Sequence, residues 1–338
     1  MDLNIIWFLL VGVLIIGYAI LDGFDLGVGV LHLFTKDENE KRIEMNAIGP
    51  VWDGNEVWLL TGGGALFAAF PYVYATVFSG FYIAFMLLLT ALIFRAVSFE
   101  FRGKVESAAW RTLWDYAFGV GSLLPAILYG VAIGNILRGV PIDKSGFFVG
   151  SFIGLLNPYS IVVGLVSLVL FTLHGALYIT VKSDGELRTR MINWVNKAWI
   201  TFLLLYVVAT FLTFFEAPFL FEAILKNPIF WILFILLLTS ILFIPVAIKG
   251  GKYFHAFLSS SVMIASMVGL VAVSLFPRLV PSNIDLAYSL TIYNSSSSEK
   301  TLSAMLVIAL IGMPIVIAYT VVIYRIFKGK VVISKESY

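Results

Sequence analysis

The stretch IIWFLLVGVLIIGYAILDGFDLGVGVLH, residues 5–32, decides how this chain is read. It exceeds the about 20 apolar residues that an α-helix needs to cross a hydrocarbon core, yet it carries Asp22 and Asp25. It has no basic leading segment and no small-residue cleavage site, so it is expected to be a membrane helix and not a cleaved signal peptide. An acidic side chain at mid-helix costs roughly 2.5–3.5 kcal/mol on insertion scales and as a rule faces a bundle interior. At about 100° per residue, Tyr18, Asp22, Asp25 and Gly29 share a stripe about 60° wide. Gly23 and Gly27 form a small-xxx-small pair on a neighbouring face, which lets another helix come close.

Working outward, the whole chain has the same character. Of 338 residues, 60% are hydrophobic and 12% charged, and the mean hydropathy is +0.99. Soluble domains carry about 25% charged residues, so the missing solvent-facing area must be lipid. A net charge of +2 makes no case for a nucleic-acid partner. The absence of cysteine excludes disulfides, thiolate-bound metal, iron–sulfur clusters and cysteine nucleophiles.

Apolar runs near 5–32, 48–70, 73–97, 112–137, 157–181, 192–215, 228–248, 253–276 and 302–327 predict about nine transmembrane helices. The fold class is an all-α integral membrane protein. It divides into a first four-helix bundle (1–137), an outer loop (138–156), a second four-helix bundle (157–276), an irregular outer loop (277–301) and a peripheral ninth helix with its tail (302–338). Pro71 is expected to turn helix two tightly into helix three. Alternate loops put 17 of the 22 Lys and Arg residues, from Lys36 to Lys335, on one side; Arg138, Lys144, Lys226, Arg278 and Lys300 are on the other. The positive-inside rule then places the N-terminus outside and the C-terminus in the cytoplasm. A faint repeat at an offset of 152 residues pairs Asp22-Gly23 with His174-Gly175, and Val11-Gly12 with Val163-Gly164. Two parallel four-helix units would produce it, and so would chance similarity between apolar stretches.

On that topology Asp22, Asp25, Asp53, Glu56 and Arg95 converge on the cytoplasmic third of the first bundle. The functional reading is a proton pathway in which two close carboxylates cannot easily both ionise, so one carries a proton. The structural readings stand beside it. Asp53 and Glu56 open a helix, where the macrodipole favours acids, and Arg95 is a candidate ion-pair partner that neutralises one of them. Of the three histidines, His32 and His255 fall at helix ends and His174 stands alone in helix five, which favours hydrogen-bonded roles over haem ligation. Gly62-Gly63-Gly64, in an apolar run, is expected to serve close helix packing and not phosphate binding.

The run Tyr18-Ala19-Ile20-Leu21-Asp22-Gly23-Phe24-Asp25-Leu26-Gly27-Val28-Gly29 resembles the first helix of subunit II of cytochrome bd quinol oxidases. The polar-studded opening of helix two, Gly49-Pro50-Val51-Trp52-Asp53-Gly54-Asn55-Glu56-Val57-Trp58 and onward to Pro71, resembles that family more closely still. The resemblance continues through Phe78–Arg102, Trp114–Pro125, Gly134-Asn135 and Gly139-Val140-Pro141, and weakens after about Leu155. It implies a subunit of an enzyme that oxidises membrane quinol and reduces O2 to water in the bacterial plasma membrane. It also implies haems b and d in a partner, subunit I, in a pseudo-symmetric heterodimer that a small single-helix subunit can join. By the same resemblance Asp53 matches an acid of a cytoplasmic proton channel, Asp22 and Asp25 match neighbouring acids, and Trp58 matches a site of oxygen access from the bilayer. Glu56 stands where some relatives carry glutamine, and the loop before helix seven is short. No cofactor is assigned to this chain; a bound structural quinone or lipid, with His174 as its contact, is left open.

Two other readings fit the residues alone. A proton-coupled secondary transporter also wants intramembrane carboxylates and a repeat, with discontinuous helices at mid-membrane. A purely structural scaffold would never exchange the protons.

Overall fold

The structure is a computed structural model that describes residues 2–333; Lys335, counted above for orientation, lies outside the described residues. The chain runs through α1 (Leu3–His32), α2 (Glu38–Ile48), α3 (Trp52–Ala69), α4 (Pro71–Gly80), α5 (Tyr82–Phe101), α6 (Ala108–Arg138) and the single turn α7 (Phe152–Leu155). It continues through α8 (Pro158–Lys182), α9 (Gly185–Glu216), the single turn α10 (Phe221–Ile224), α11 (Pro228–Lys249), α12 (Tyr253–Leu275) and α13 (Glu299–Ile326). Among the described residues eight helices are long and apolar enough to cross a membrane, and counting the bent pair α3–α4 as one broken span makes nine.

Burial is inverted relative to a soluble protein. Leu60, Phe67, Leu204, Phe211, Ile308 and Ile315 point outward, while Asp22, Asp25, His32, Glu44, Arg95 and His174 are buried. Lipid replaces water as the outer solvent, so apolar side chains lose nothing by facing it, and polar side chains must find partners inside.

α1 is the axis of the molecule. It packs on α3, α6, α8 and α12. α5 packs on α6; α8 packs on α9 and α12; α11 packs on α12. α13 lies at the edge against α1 and α3. α6 also packs on α8, and α1 crosses α8 backbone to backbone. A Cβ on Gly27 would collide with the Phe171 carbonyl, and one on Gly175 would lie 2.5 Å from Gly27 C and Val28 N. The small-xxx-small expectation for Gly23 and Gly27 is met at this crossing, with Phe171 also covering Gly23. Gly62, Gly63 and Gly64 differ from expectation. No atom lies within 4 Å of a Cβ built on Gly63 or Gly64, and only Leu14 Cβ comes near Gly62, because this part of α3 faces outward and meets no second backbone.

Helix three begins later than hydropathy predicts. Proline lacks an amide hydrogen and is suited to the first turn of a helix, so Pro71 opens a separate helix, α4, bent 120° from α3. Phe81 then breaks the chain before α5 starts at Tyr82. The charged stretch after α1 also differs: it forms α2, where Asp37 caps the N-terminus by accepting from Glu40 N at 3.0 Å. Glu38 and Glu40 suit the positive end of the helix dipole.

The loops 138–156 and 277–301 are knitted together, and 277–301, expected to be irregular, carries a short hairpin. β1 (Arg278–Val280) pairs antiparallel with β2 (Leu290–Thr291). Val140 N donates to Pro281 O at 3.0 Å, Asn283 N donates to Val140 O at 3.1 Å, and Ser282 Oγ donates to Ile142 O at 2.7 Å. Val140, Ile142, Val280, Leu290 and Ile292 bury a small core with Phe70 and Phe81. These backbone pairings let the cap rest on the bend between α3 and α4.

Candidate functional site: a buried acid–guanidinium network

The stripe on α1 meets α3, α5 and α6. Asp22 is fully buried and receives Arg95 from α5 in a two-armed grip: Nη1 donates to Oδ2 at 2.9 Å and Nη2 donates to Oδ1. Tyr18 Oη donates to Asp22 Oδ2 at 2.8 Å and lies 2.6 Å from Tyr129 Oη of α6. One turn further along α1, Asp25 is fully buried, and its Oδ2 lies 3.9 Å from Arg95 Nη2. Asn55 of α3 donates to Asp25 Oδ2 at 2.8 Å and to the Leu21 carbonyl at 3.1 Å. Tyr324 of α13 donates to Asn55 Oδ1 at 2.9 Å, so the peripheral helix also reaches the network. Asp25 Oδ1 and Arg95 Nε find no hydrogen-bond partner among the described residues.

Asp22, Asp25 and Arg95 are thus brought together, with Glu56 near enough to interact with their charges. Asp53 is exposed on the outer face of α3, and Glu56 is half-buried. The residue of helix two that faces Asp25 is Asn55, which lies between them. The signal for it was a stripe at helical spacing, Val51, Asn55 and Trp58, all buried; a neutral amide in that stripe draws less notice than the acids beside it. Trp58 is buried with its ring over Gly17, where a Cβ would collide with it. Tyr129 and Tyr324 carried no such signal, because a tyrosine in an apolar helix reads as an interface anchor.

A second polar cluster sits at the end of α1 and was not anticipated. His32 Nδ1 lies 3.0 Å from Glu44 Oε2, and its Nε2 lies 2.9 Å from Asp115 Oδ1. Lys41 Nζ donates to Asp115 Oδ2 at 2.7 Å, and Arg102 Nε donates to Asp115 Oδ1 at 2.6 Å. Arg102 Nη2 also donates to both oxygens of Glu38 at 2.9 Å, and Thr35 Oγ1 donates to Glu44 Oε1 at 2.6 Å. Burial works against the charge on Arg102, but the hydrogen bond and charge of Asp115, with Glu38 behind them, hold the guanidinium above its ordinary range.

His174 is fully buried: Nδ1 lies 2.6 Å from Ser260 Oγ and Nε2 lies 3.0 Å from the Ile20 carbonyl, with Phe257 stacked on the ring at 4.8 Å. Both nitrogens are satisfied within the chain, so His174 does not face a lipid or quinone from outside. His255 is exposed at the start of α12. A haem wants an imidazole nitrogen free to bind iron, and neither buried histidine offers one. Among the described residues no group of three or more His, Asp or Glu could hold a metal ion.

The fold and the network define a multi-pass membrane protein with a buried, hydrogen-bonded acid–base cluster among α1, α3, α5 and α6. The profile of the family described as cytochrome bd terminal oxidase subunit II matches residues 3–327. The chain is 37% identical to the cytochrome bd-I ubiquinol oxidase subunit 2 of Escherichia coli (strain K12), over 99% of this chain and 96% of that protein. It is 38% identical to the cytochrome bd ubiquinol oxidase subunit 2 of Bacillus subtilis (strain 168), over 98% and 97%. A chain of the bd oxidase structure from Geobacillus thermodenitrificans shares the fold, with a TM-score of 0.78 at 18% identity over 97% of this chain and 99% of that one. This chain belongs to the cytochrome bd terminal oxidase subunit II family and is therefore a bacterial multi-pass membrane subunit of an oxidoreductase.

Proposed function

We propose that this chain is the haem-free member of a quinol-oxidising, O2-reducing complex, and that its first bundle delivers protons toward a haem-bearing subunit I. The observation that carries the reading is the imbalance at α1: two buried carboxylates, Asp22 and Asp25, share one buried guanidinium, Arg95. Asp22 takes both arms of Arg95 and a tyrosine hydroxyl. Asp25 is left with one amide donor and a bare Oδ1. An unbalanced buried charge costs several kcal/mol, so the second acid is the natural place for an exchangeable proton. Asp53 and Glu56 flank Asn55 on α3 and would lead inward from the outer face of that helix.

The engaged ring nitrogens of His32 and His174 support haems b and d residing in the partner, and no step is routed through haem here. The bias of 17 basic residues to 5 supports an outer N-terminus and a cytoplasmic C-terminus. On that orientation the His32 end of α1 faces the cytoplasm. We read 1–137 as a first bundle, 157–276 as a second and α13 as a peripheral ninth helix, with α1 and α6 both packed on α8 across the boundary. The family match over residues 3–327 supports an oxidase over a proton-coupled transporter. We assign Trp58 to packing, on the seat of its ring over Gly17. Subunit I is the expected heterodimer partner, and a single-helix subunit and membrane lipids complete the surroundings.

The test is Asp25→Asn in the assembled complex. Quinol-driven oxygen uptake should slow while the haem spectrum is retained. Unchanged turnover rules out proton delivery through Asp25, and loss of haem makes the residue structural.

A further inference from the structure

We propose that His32, clasped between Glu44 and Asp115, is a proton-holding station that feeds Asp25 along the polar face of α1. The proposal rests on the proton-delivery reading and extends it to a residue outside the four acids.

The geometry of the ring is the first argument. A neutral imidazole has one N–H and one lone pair. Both His32 nitrogens face carboxylate oxygens, at 3.0 and 2.9 Å, and the side chain is wholly buried. A neutral ring between two carboxylates would turn a lone pair against an anion where water cannot relieve it. An imidazolium donates on both sides. The triad therefore holds one proton more than a neutral histidine and two carboxylates would.

Charge balance is the second argument. The charged groups that contact His32 or its partners directly are Glu38, Lys41 and Glu44 on α2, Arg102 at the end of α5 and Asp115 on α6; the neighbouring Glu40 is balanced by Arg190. With an imidazolium, three cations meet three anions. A neutral ring leaves one negative charge in excess, so the cluster takes its proton back after giving it up.

Placement is the third. His32 lies seven residues beyond Asp25, about 20° from it on the helix wheel and about 10 Å along the axis. Between them Gly29 leaves a notch that the Ser122 hydroxyl of α6 fills; a Cβ on Gly29 would collide with Ser122 Oγ. Ser122 Oγ donates to the Phe118 carbonyl at 2.8 Å, which leaves its oxygen lone pairs free to accept. The hydroxyl thus marks a polar midpoint, about one helical turn from each station, in a layer otherwise walled by Phe118, whose ring stands edge-on to His32 at 5.1 Å.

The experiment uses the assembled oxidase. In 15N-histidine-labelled complex, the difference between wild type and His32→Gln isolates the His32 ring. The expected signal at pH 7 is two protonated nitrogens; one bare nitrogen overturns the proposal. His32→Gln and Ser122→Ala are each expected to slow quinol-driven oxygen uptake several-fold with the haem spectrum retained, and the deficit should widen from pH 6 to pH 9 as protons become scarce. Wild-type turnover in both variants across that range also overturns it. If Asp25→Asn slows the enzyme while both variants run normally, the station fails and proton delivery through Asp25 survives. If Asp25→Asn is also normal, the underlying reading fails. Where His32→Gln does not assemble, Ser122→Ala, which removes only a hydroxyl, carries the kinetic test.

Discussion

Arg95 reaches from α5 to grip both carboxylate oxygens of Asp22 on α1, and neither side chain has any surface left to water. Only a planar guanidinium makes that two-armed contact. Arg95→Leu would strand Asp22 as a buried, unpaired charge, and removing one partner of a buried pair costs about 3–5 kcal/mol. The expected outcome is little assembled complex, measured as monodisperse protein after detergent extraction. Adding Asp22→Asn to Arg95→Leu should recover part of it. Arg95→Lys keeps the charge but loses an arm, and should assemble with a lower Tm.

Asp53 stands on the outer face of α3, exposed within the chain's own apolar exterior. A carboxylate there is tolerable only against water or a protein partner. The chain has no cysteine, so Asp53→Cys introduces a single thiol into it. A small maleimide is expected to label that thiol in the chain expressed alone and to be blocked once the haem-bearing partner is bound. Equal labelling in both states would remove Asp53 from the interface.

Where α1 crosses α8, Gly27 and Gly175 leave no room for a methyl group, and the obstacle is backbone, which cannot turn aside as a side chain can. Overpacking a fitted interior costs typically 1–3 kcal/mol, about the range expected for Gly27→Ala or Gly175→Ala. Both should lower the Tm of the purified complex. Gly63→Ala, with open space around it, should leave it unchanged.

After α13 the chain folds back onto the turn between α8 and α9. Val331 N donates to the Lys182 carbonyl at 2.9 Å, Lys182 Nζ donates to the Phe327 carbonyl at 2.6 Å, and Lys330 pairs with Asp184. The hydrogen bond from Lys330 holds the Asp184 carboxyl below its usual range. A depressed carboxyl stabilises the docked tail above its free pKa of about 3.9, and that help is lost as pH falls through the lower, docked value. Hydrogen exchange at Val331 should therefore speed up, relative to its intrinsic rate, in acid and in Asp184→Asn. High salt should act in the same direction, because the pair is exposed.

Much of the fold was legible because the bilayer imposes a simple rule of length and apolarity. α1, α6, α8, α11, α12 and α13 fall close to their predicted positions for that reason. Helix three was misplaced because Pro71–Gly80 is as apolar as a span, and hydropathy carries no record of a 120° bend. The acids Asp22 and Asp25 were legible because charge in an apolar run is conspicuous. Asn55, Tyr18, Tyr129 and Tyr324 complete the network with neutral groups whose types are common in membrane helices, so only their convergence singles them out.

By itself the sequence determined that this chain lives in lipid, that it crosses many times, and that two acids on one face of its first helix demand partners. Those follow from transfer free energies, which depend on composition along a single segment. Tertiary structure alone decided that Asn55 and not Asp53 meets Asp25, that Arg95 serves Asp22 with both arms, and that His32 is held between Glu44 and Asp115. Each of these joins helices far apart in sequence, and which face of one helix meets which face of another is set by packing, through contacts such as Gly27 on Gly175.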